Sequence, residues 1–283
     1  YNAHNFYGEL DDLDAASLDD VAAFFQQYYA PNNAAVAIVG DLEYDETFAL
    51  IEKHFGDIRP SDEPIVLPDV SEPRQEAEIR ESRNDPLATR PGFSFAYHVP
   101  ERLTPDWYAM GIIDQILVQG EDSLLHQALV KQAGITSELN GGINWGLGNM
   151  LNYKGPMLWF AWFIHDPDVD DATILGHIDD VVASLRDEAI DAATLERAKI
   201  KWRSNFYDDV SQSFGFGRAD LLASLALFDD KPERINEFEK NIMKVTPEQV
   251  LAAAREYLRP TNRTVFVLEA GAGQNGEEVA LND

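Results

Sequence analysis

Apolar residues along this chain recur with two periods. A spacing of three and four predicts helices at Val21, Phe24, Phe25 and Tyr28, at Phe48, Ile51 and Phe55, and at Trp107, Met110, Ile113 and Leu117. It continues through Leu125, Ala128 and Leu129 to Gly134, and through Ile174, Ile178, Val181 and Leu185. Further helical stretches run from 192 to about 209, over 221–228, over 234–243, and through Val250, Ala253, Ala254 and Tyr257. Alternation over 92–99 and the apolar run over 157–164 predict strands, the second strongly buried. Residues 135–145 read as glycine-containing strand or loop. The order strand, helices, strands, helices, strand predicts an α+β fold with helices packed on a mostly antiparallel sheet.

One pattern occurs twice. From Ser17 the chain reads SLDDVAAFFQQYYAPNNAAVAIVG; from Thr246 it reads TPEQVLAAAREYLRPTNRTVFVLE. Ser17 matches Thr246, Val21 matches Val250, Tyr28 matches Tyr257, Pro31 matches Pro260, Asn33 matches Asn262 and Val36 matches Val265, all in one register. Ser17 and Thr246 are favoured N-caps, and Asp20 and Gln249 stand three residues on, as a capping box requires. Pro31 and Pro260 stop the helix, and the β-rich runs 34–39 and 264–268 follow. Each copy therefore reads as helix, tight turn and strand, closing a domain. If the second copy closes a domain near 269, the first closes one near 40, with too little chain before it for a domain of equal size. The expectation is a fragment of a longer chain: residues 1–58 the tail of one domain, 59–91 a linker, 92–270 a complete second domain, and 271–283 a loose tail. The linker reading rests on Pro60, Pro64, Pro68, Pro73, Pro86 and Pro91 among many charges, with 65–67 a possible short edge strand. Residues 1–16 read as an acidic loop.

Fifty acidic against 22 basic residues leave a net charge of −28. This argues against nucleic acid and against an anionic membrane surface as partners. It favours positive or unfolded peptides, or reflects adaptation to a saline habitat; composition leaves both open. With no cysteine, disulfides and thiolate metal sites are excluded. No apolar run is long enough to span a bilayer.

A search for chemistry finds no catalytic constellation. The histidines are His4, His54, His98, His126, His165 and His177, and none is spaced as in a zinc helix. Asp166, Asp168 and Asp170 alternate like the start of a calcium loop. That loop's glycine and terminal glutamate are missing, so these acids read as favouring the next helix N-terminus. Glycines 141, 142, 146 and 148 serve either turns or the close approach of an extended ligand. Gly141, Gly142 and Asn144 are the candidate substrate-contacting residues.

Two segments carry a resemblance. D-V-A-A-F-F-Q-Q-Y-Y-A-P-N-N-A-A-V-A-I-V-G-D over 20–41 and I-E-K-H-F-G-D-I over 51–58 resemble the M16 zinc peptidases, the pitrilysin, insulinase and mitochondrial-processing-peptidase family. Looser matches lie at 119–129, 193–199 and 245–267. The resemblance implies the LuxS/MPP-like metallohydrolase fold: two similar α+β domains, joined by a linker, that close around an unfolded peptide. In active relatives the first domain carries H-x-x-E-H and a distant glutamate around a catalytic zinc, whose water the motif glutamate activates. That portion would precede Tyr1, so no catalytic or metal residue is expected in this chain, and zinc is expected only in a full-length parent. Many relatives also carry an arginine and a tyrosine in L-R-x-x-x-G-L-x-Y. Aligned on Gly134, this chain has Val130 and Ser137 there, so the pair is absent.

The expectation is thus the C-terminal portion of an M16-type metalloendopeptidase. It would be inactive alone, forming the non-catalytic half of a peptide chamber and a docking face for another M16 subunit in a homo- or heterodimer. By the same resemblance a periplasmic or cell-envelope setting is favoured. The alternatives are a non-catalytic scaffold of the same fold, like the core subunits of a respiratory complex, and an unrelated acidic binding protein.

Overall fold

The computed structural model describes residues 9–62, 65, 73–213 and 217–271. In chain order the elements are α1 (Leu10–Ala15), α2 (Leu18–Tyr28), α3 (Tyr44–Phe55), β1 (Ile79–Asp85), β2 (Gly92–His98), α4 (Pro105–Leu117) and a π-helical turn (His126–Gln132). There follow β3 (Asn140–Ile143), β4 (Leu158–Ile164), α5 (Asp171–Asp187), α6 (Ala192–Ser211), α7 (Arg218–Asp229), α8 (Phe238–Ile242), α9 (Pro247–Tyr257) and β5 (Arg263–Ala270). The described residues form two compact units, 9–73 with 210–235 and 74–209 with 236–271.

The larger unit is built on a five-stranded sheet in the order β1-β5-β2-β4-β3. β2 pairs antiparallel with β4 and β5, β3 pairs antiparallel with β4, and β1 runs parallel to β5. Alternation sends Phe93, Phe95 and Tyr97 of β2 and Trp159, Ala161 and Phe163 of β4 into the core, each at most 2% exposed. The intervening Ser94, Ala96, Phe160 and Trp162 are half-buried. Helix α9 packs against α4 and α5. The α4 helix is enclosed throughout its length: every residue from Trp107 to Leu117 is buried. Each large side chain among these contributes about 1.5–3 kcal/mol by leaving water. Local signals start the helices where expected. Thr104 accepts from the Trp107 N–H (3.2 Å) and Asp170 accepts from the Thr173 N–H (2.8 Å).

The reading of 59–91 as linker needs correction over 79–85, which is β1. Its sequence, IRESRND, is charged and exposed almost throughout, so no alternation betrays it. What holds it is the backbone ladder to β5 and, next to it, Glu78, which receives Nε of the buried Arg263 at 2.7 Å. Asp179 pairs with the same guanidinium. Likewise 10–15, read as loop, is a short helix. Residues 66–72 and 272–283, which include most of the possible edge strand and the loose tail, lie outside the described residues.

The smaller unit contains the first copy of the repeated pattern, and its local geometry matches the second. Both helices open on a full capping box, Ser17 with Asp20 and Thr246 with Gln249. Both end in a three-residue 3₁₀ turn, Pro31–Asn33 and Pro260–Asn262. In both, the asparagine amide donates to the tyrosine carbonyl five residues back: Asn33 to Tyr28 at 2.8 Å and Asn262 to Tyr257 at 2.7 Å. Beyond the turn the copies part. Residues 263–270 form β5 between two neighbours, whereas 34–39, predicted as a strand, form none. A strand exists only through its ladder, and among the described residues 34–39 pair with no strand. The apolar positions differ in the same way: Val250 and Val265 are 0% and 3% exposed, while Val21 and Val36 are 47% and 66% exposed.

Candidate functional site

The end of α4, strand β3, the loop that follows it and helix α6 enclose a cavity of about 270 Å³. Gly141 and Gly142 line it. At Gly141 a Cβ would stand 2.4 Å from the Phe160 carbonyl oxygen, so only glycine lets β3 lie this close to β4. Gly142 has φ +148, and a Cβ there would press on Gln119 Nε2 (3.1 Å) and Asp114 Oδ1 (3.3 Å). Asn144, the third sequence candidate, does not line the cavity. It takes φ +58, and its amide donates to the Asn149 carbonyl (2.9 Å) while Asn152 Oδ1 accepts from the Asn149 N–H (2.9 Å). Asparagines thus pin the loop that carries Trp145, Gly148 and Met150 past the cavity.

Asp114 is the group that sequence reading missed. It is 6% exposed on a helix that is otherwise apolar from Trp107 to Ile113, and it faces the cavity. Its Oδ1 accepts from Trp159 Nε1 at 2.8 Å, and its Oδ2 has only a long contact, 3.4 Å, from Gln115 Nε2. Burial pushes this carboxyl up to about 7, against the hydrogen bonds from Trp159 and Gln119 and the charge of Lys201, which pull it down. Lys201 itself is engaged elsewhere. Its ammonium donates to the Gln119 carbonyl (2.8 Å), the Gln115 carbonyl (3.3 Å) and Asp122 (2.6 Å), so it caps the C-terminal end of α4. The visible signal was one of isolation: between Asp106 and Glu121 Asp114 is the sole charged residue.

The walls are mixed. Trp202 and Phe206 stack at 5.2 Å with planes 10° apart, and Trp202 Nε1 donates to Met150 Sδ at 3.4 Å. Trp145 sets its ring edge-on to Phe160 at 5.8 Å. Asn205 donates to Gln115 Oε1 (3.2 Å). Asp208 and Asp209 also line the cavity, and burial together with Asp208 raises the Asp209 carboxyl. No lysine, arginine or histidine is among the lining residues.

This donor set does not suit zinc. A protein zinc site supplies three or four ligands from histidine, cysteine and carboxylate, and the buried end of the cavity offers one carboxylate flanked by amides. Among the described residues no group of three or more His, Asp or Glu could hold a metal ion. The residues that sequence reading sets aside as ligands have ordinary structural settings: His165 is buried beside Phe163, His54 is exposed on α3, and Asp170, read as favouring the next helix N-terminus, caps α5. Among the described residues, no helix is long and apolar enough to cross a membrane.

The profile of the peptidase M16 inactive domain matches residues 15–201. The chain belongs to the peptidase M16 inactive-domain family. It is 24% identical over 263 residues to the zinc protease PqqE of Helicobacter pylori, covering 93% of this chain and 57% of that protein. The crystal structure of a protease from Helicobacter pylori superposes with a TM-score of 0.80 at 22% identity, over 93% of this chain and 61% of that one. A peptidase M16 inactive domain from Pseudomonas fluorescens superposes with a TM-score of 0.75 at 19% identity, over 98% and 63%. At these identities the superpositions speak for the fold alone. The chain spans about three fifths of the relatives it matches.

Proposed function

We propose that this chain is the non-catalytic part of an M16-type zinc peptidase, supplying one wall of its peptide chamber and a docking surface for a further M16 domain. The observation that carries the reading is the conjunction just described: membership of the inactive-domain family, with a cavity that has the wrong donors for zinc. Zinc chemistry then belongs to another portion of the parent or to a partner subunit. This chain contributes shape, charge and hydrogen-bonding groups to the peptide.

The internal repeat supports one placement for that further domain. Val250, Ala253 and Ala254 of the second copy are buried on α9, which packs against α4 and α5, and β5 is paired on both sides. The matching face of the first copy exposes Val21, Phe24, Phe25, Val36 and Ile38, a patch of the kind that marks an interface. By that equivalence the occupant is a sheet-and-helix layer like 92–270, whose edge strand would pair with 34–39.

The test is to incubate the purified chain with zinc and a reduced, alkylated polypeptide. The reading expects peptide binding without cleavage. Chelator-sensitive cleavage by this chain alone would remove it.

A further inference from the structure

Resting on the reading of this chain as one wall of a peptide chamber, we infer that the cavity between α4, β3 and α6 is a subsite for the side chain of a lysine or arginine in an extended peptide. Three observations converge. The first is size: about 270 Å³ lies below the roughly 300–1,000 Å³ of pockets that hold a whole drug-sized ligand, and suits a single long side chain. The second is the lining. Ile143, Met150 and the Trp202–Phe206 stack offer apolar surface to an aliphatic stem, and Trp145, 38% exposed, stands beside it. Indole faces also attract a cation.

The third observation is the carboxylate at the buried end. Asp114 is enclosed and takes hydrogen bonds from the Trp159 indole and the Gln119 amide, while Oδ2 has a 3.4 Å contact from Gln115 Nε2 and keeps acceptor capacity. An ionised carboxylate in such a place is costly unless a cation pairs with it. The base nearest in charge terms, Lys201, is tied to two carbonyls and Asp122. A guanidinium or ammonium entering from the chamber would supply the missing counter-charge. An apolar side chain of the same length would fill the walls and leave Asp114 uncompensated. A free carboxylate would meet Asp114, Asp208 and Asp209 together. The amphipathic lining thus matches an amphipathic cation.

The experiment titrates the purified chain with N-acetyl-arginine methylamide, N-acetyl-lysine methylamide and the neutral N-acetyl-norleucine methylamide. Tryptophan fluorescence and NMR shifts of the indole N–H signals report binding. Wild type should bind the two cationic probes at least tenfold more tightly than norleucine at pH 8, and Asp114→Asn should abolish that preference. A measurement on the native chain stands beside the variant: the preference should fall between pH 8 and pH 5. The charged groups lining the cavity are Asp114 on α4 and Asp208 and Asp209 on α6, with Lys201 of α6 outside the lining but acting on Asp114 through its charge; β3, β4 and the 144–152 loop present none. Equal binding of norleucine at pH 8, or a cationic preference unchanged both in Asp114→Asn and at pH 5, overturns the subsite. A reduced, alkylated polypeptide in the same titration separates the two readings. Polypeptide binding without cationic preference removes the subsite and leaves the chamber. Asp114-dependent cationic binding without polypeptide binding leaves the subsite and removes the chamber.

Discussion

At the residue scale, one buried and one half-buried carboxyl put opposite pH dependences into the fold. Asp114 has a folded-state value of about 7, raised from 3.8 by burial. Between those values the folded state holds the proton more tightly than the unfolded chain, so this group makes stability fall as pH rises from about 4 to 7. Asp114→Asn keeps an oxygen for Trp159 and removes the titration. Urea unfolding at pH 5 and pH 8 should show the variant gaining about 1–3 kcal/mol on wild type at the higher pH. Equal pH dependence in both proteins would contradict the assignment. Glu78 behaves in the other direction. Its burial is outweighed by the hydrogen bonds from Arg80 and Arg263, and its carboxyl is held below 4.5. Its contribution is therefore present above about 4.5 and lost as pH falls through its lowered folded value. Arg263, 3% exposed between Glu78 and Asp179, is the costlier residue to remove. Arg263→Met should lose about 1–3 kcal/mol by denaturant titration, through the charged hydrogen bonds to Glu78 and Asp179 that go with the guanidinium. Neither residue stood out in the sequence. The setting of Asp114 is visible only as a lone charge between Asp106 and Glu121, and the partners of Arg263 lie far from it in the chain.

At the element scale, what was legible were the signals that act within a few residues. Ser17, Thr104 and Thr246 start helices because a side-chain oxygen reaches an N–H three residues on, and this geometry is written in the spacing. Strands depend on neighbours. The run 34–39 has strand composition and no ladder, while IRESRND has no strand composition and joins one, because β5 offers an open edge. The repeated asparagine turns the comparison into a measurement. Asn262 is buried and its amide donates to both Tyr257 and His98, whereas the described amide contact of Asn33 is with Tyr28. Asn262→Ala should cost about 2–3 kcal/mol and Asn33→Ala under about 1 kcal/mol; equal costs would show that the turn alone, and not its burial, decides. Gly141 tests the sheet edge that frames the cavity. A methyl group there meets backbone at 2.4 Å, so Gly141→Ala should cost about 1–3 kcal/mol and weaken ligand binding in the cavity.

At the scale of the whole molecule, the repeat was readable and its consequence for packing was not. Two segments of one pattern fold alike locally, yet one is covered and the other exposes its apolar side chains, because covering is a property of what lies alongside. Membership of the inactive-domain family is the ground on which we propose that this chain holds peptide while the chemistry belongs to another portion of the parent. The most direct test is a single determination on the purified chain: metal content by elemental analysis after dialysis against zinc, with cleavage and binding of a reduced, alkylated polypeptide followed in the same sample. The account predicts far less than one zinc per chain, no cleavage, and saturable peptide binding. One zinc retained per chain together with chelator-sensitive cleavage would contradict it.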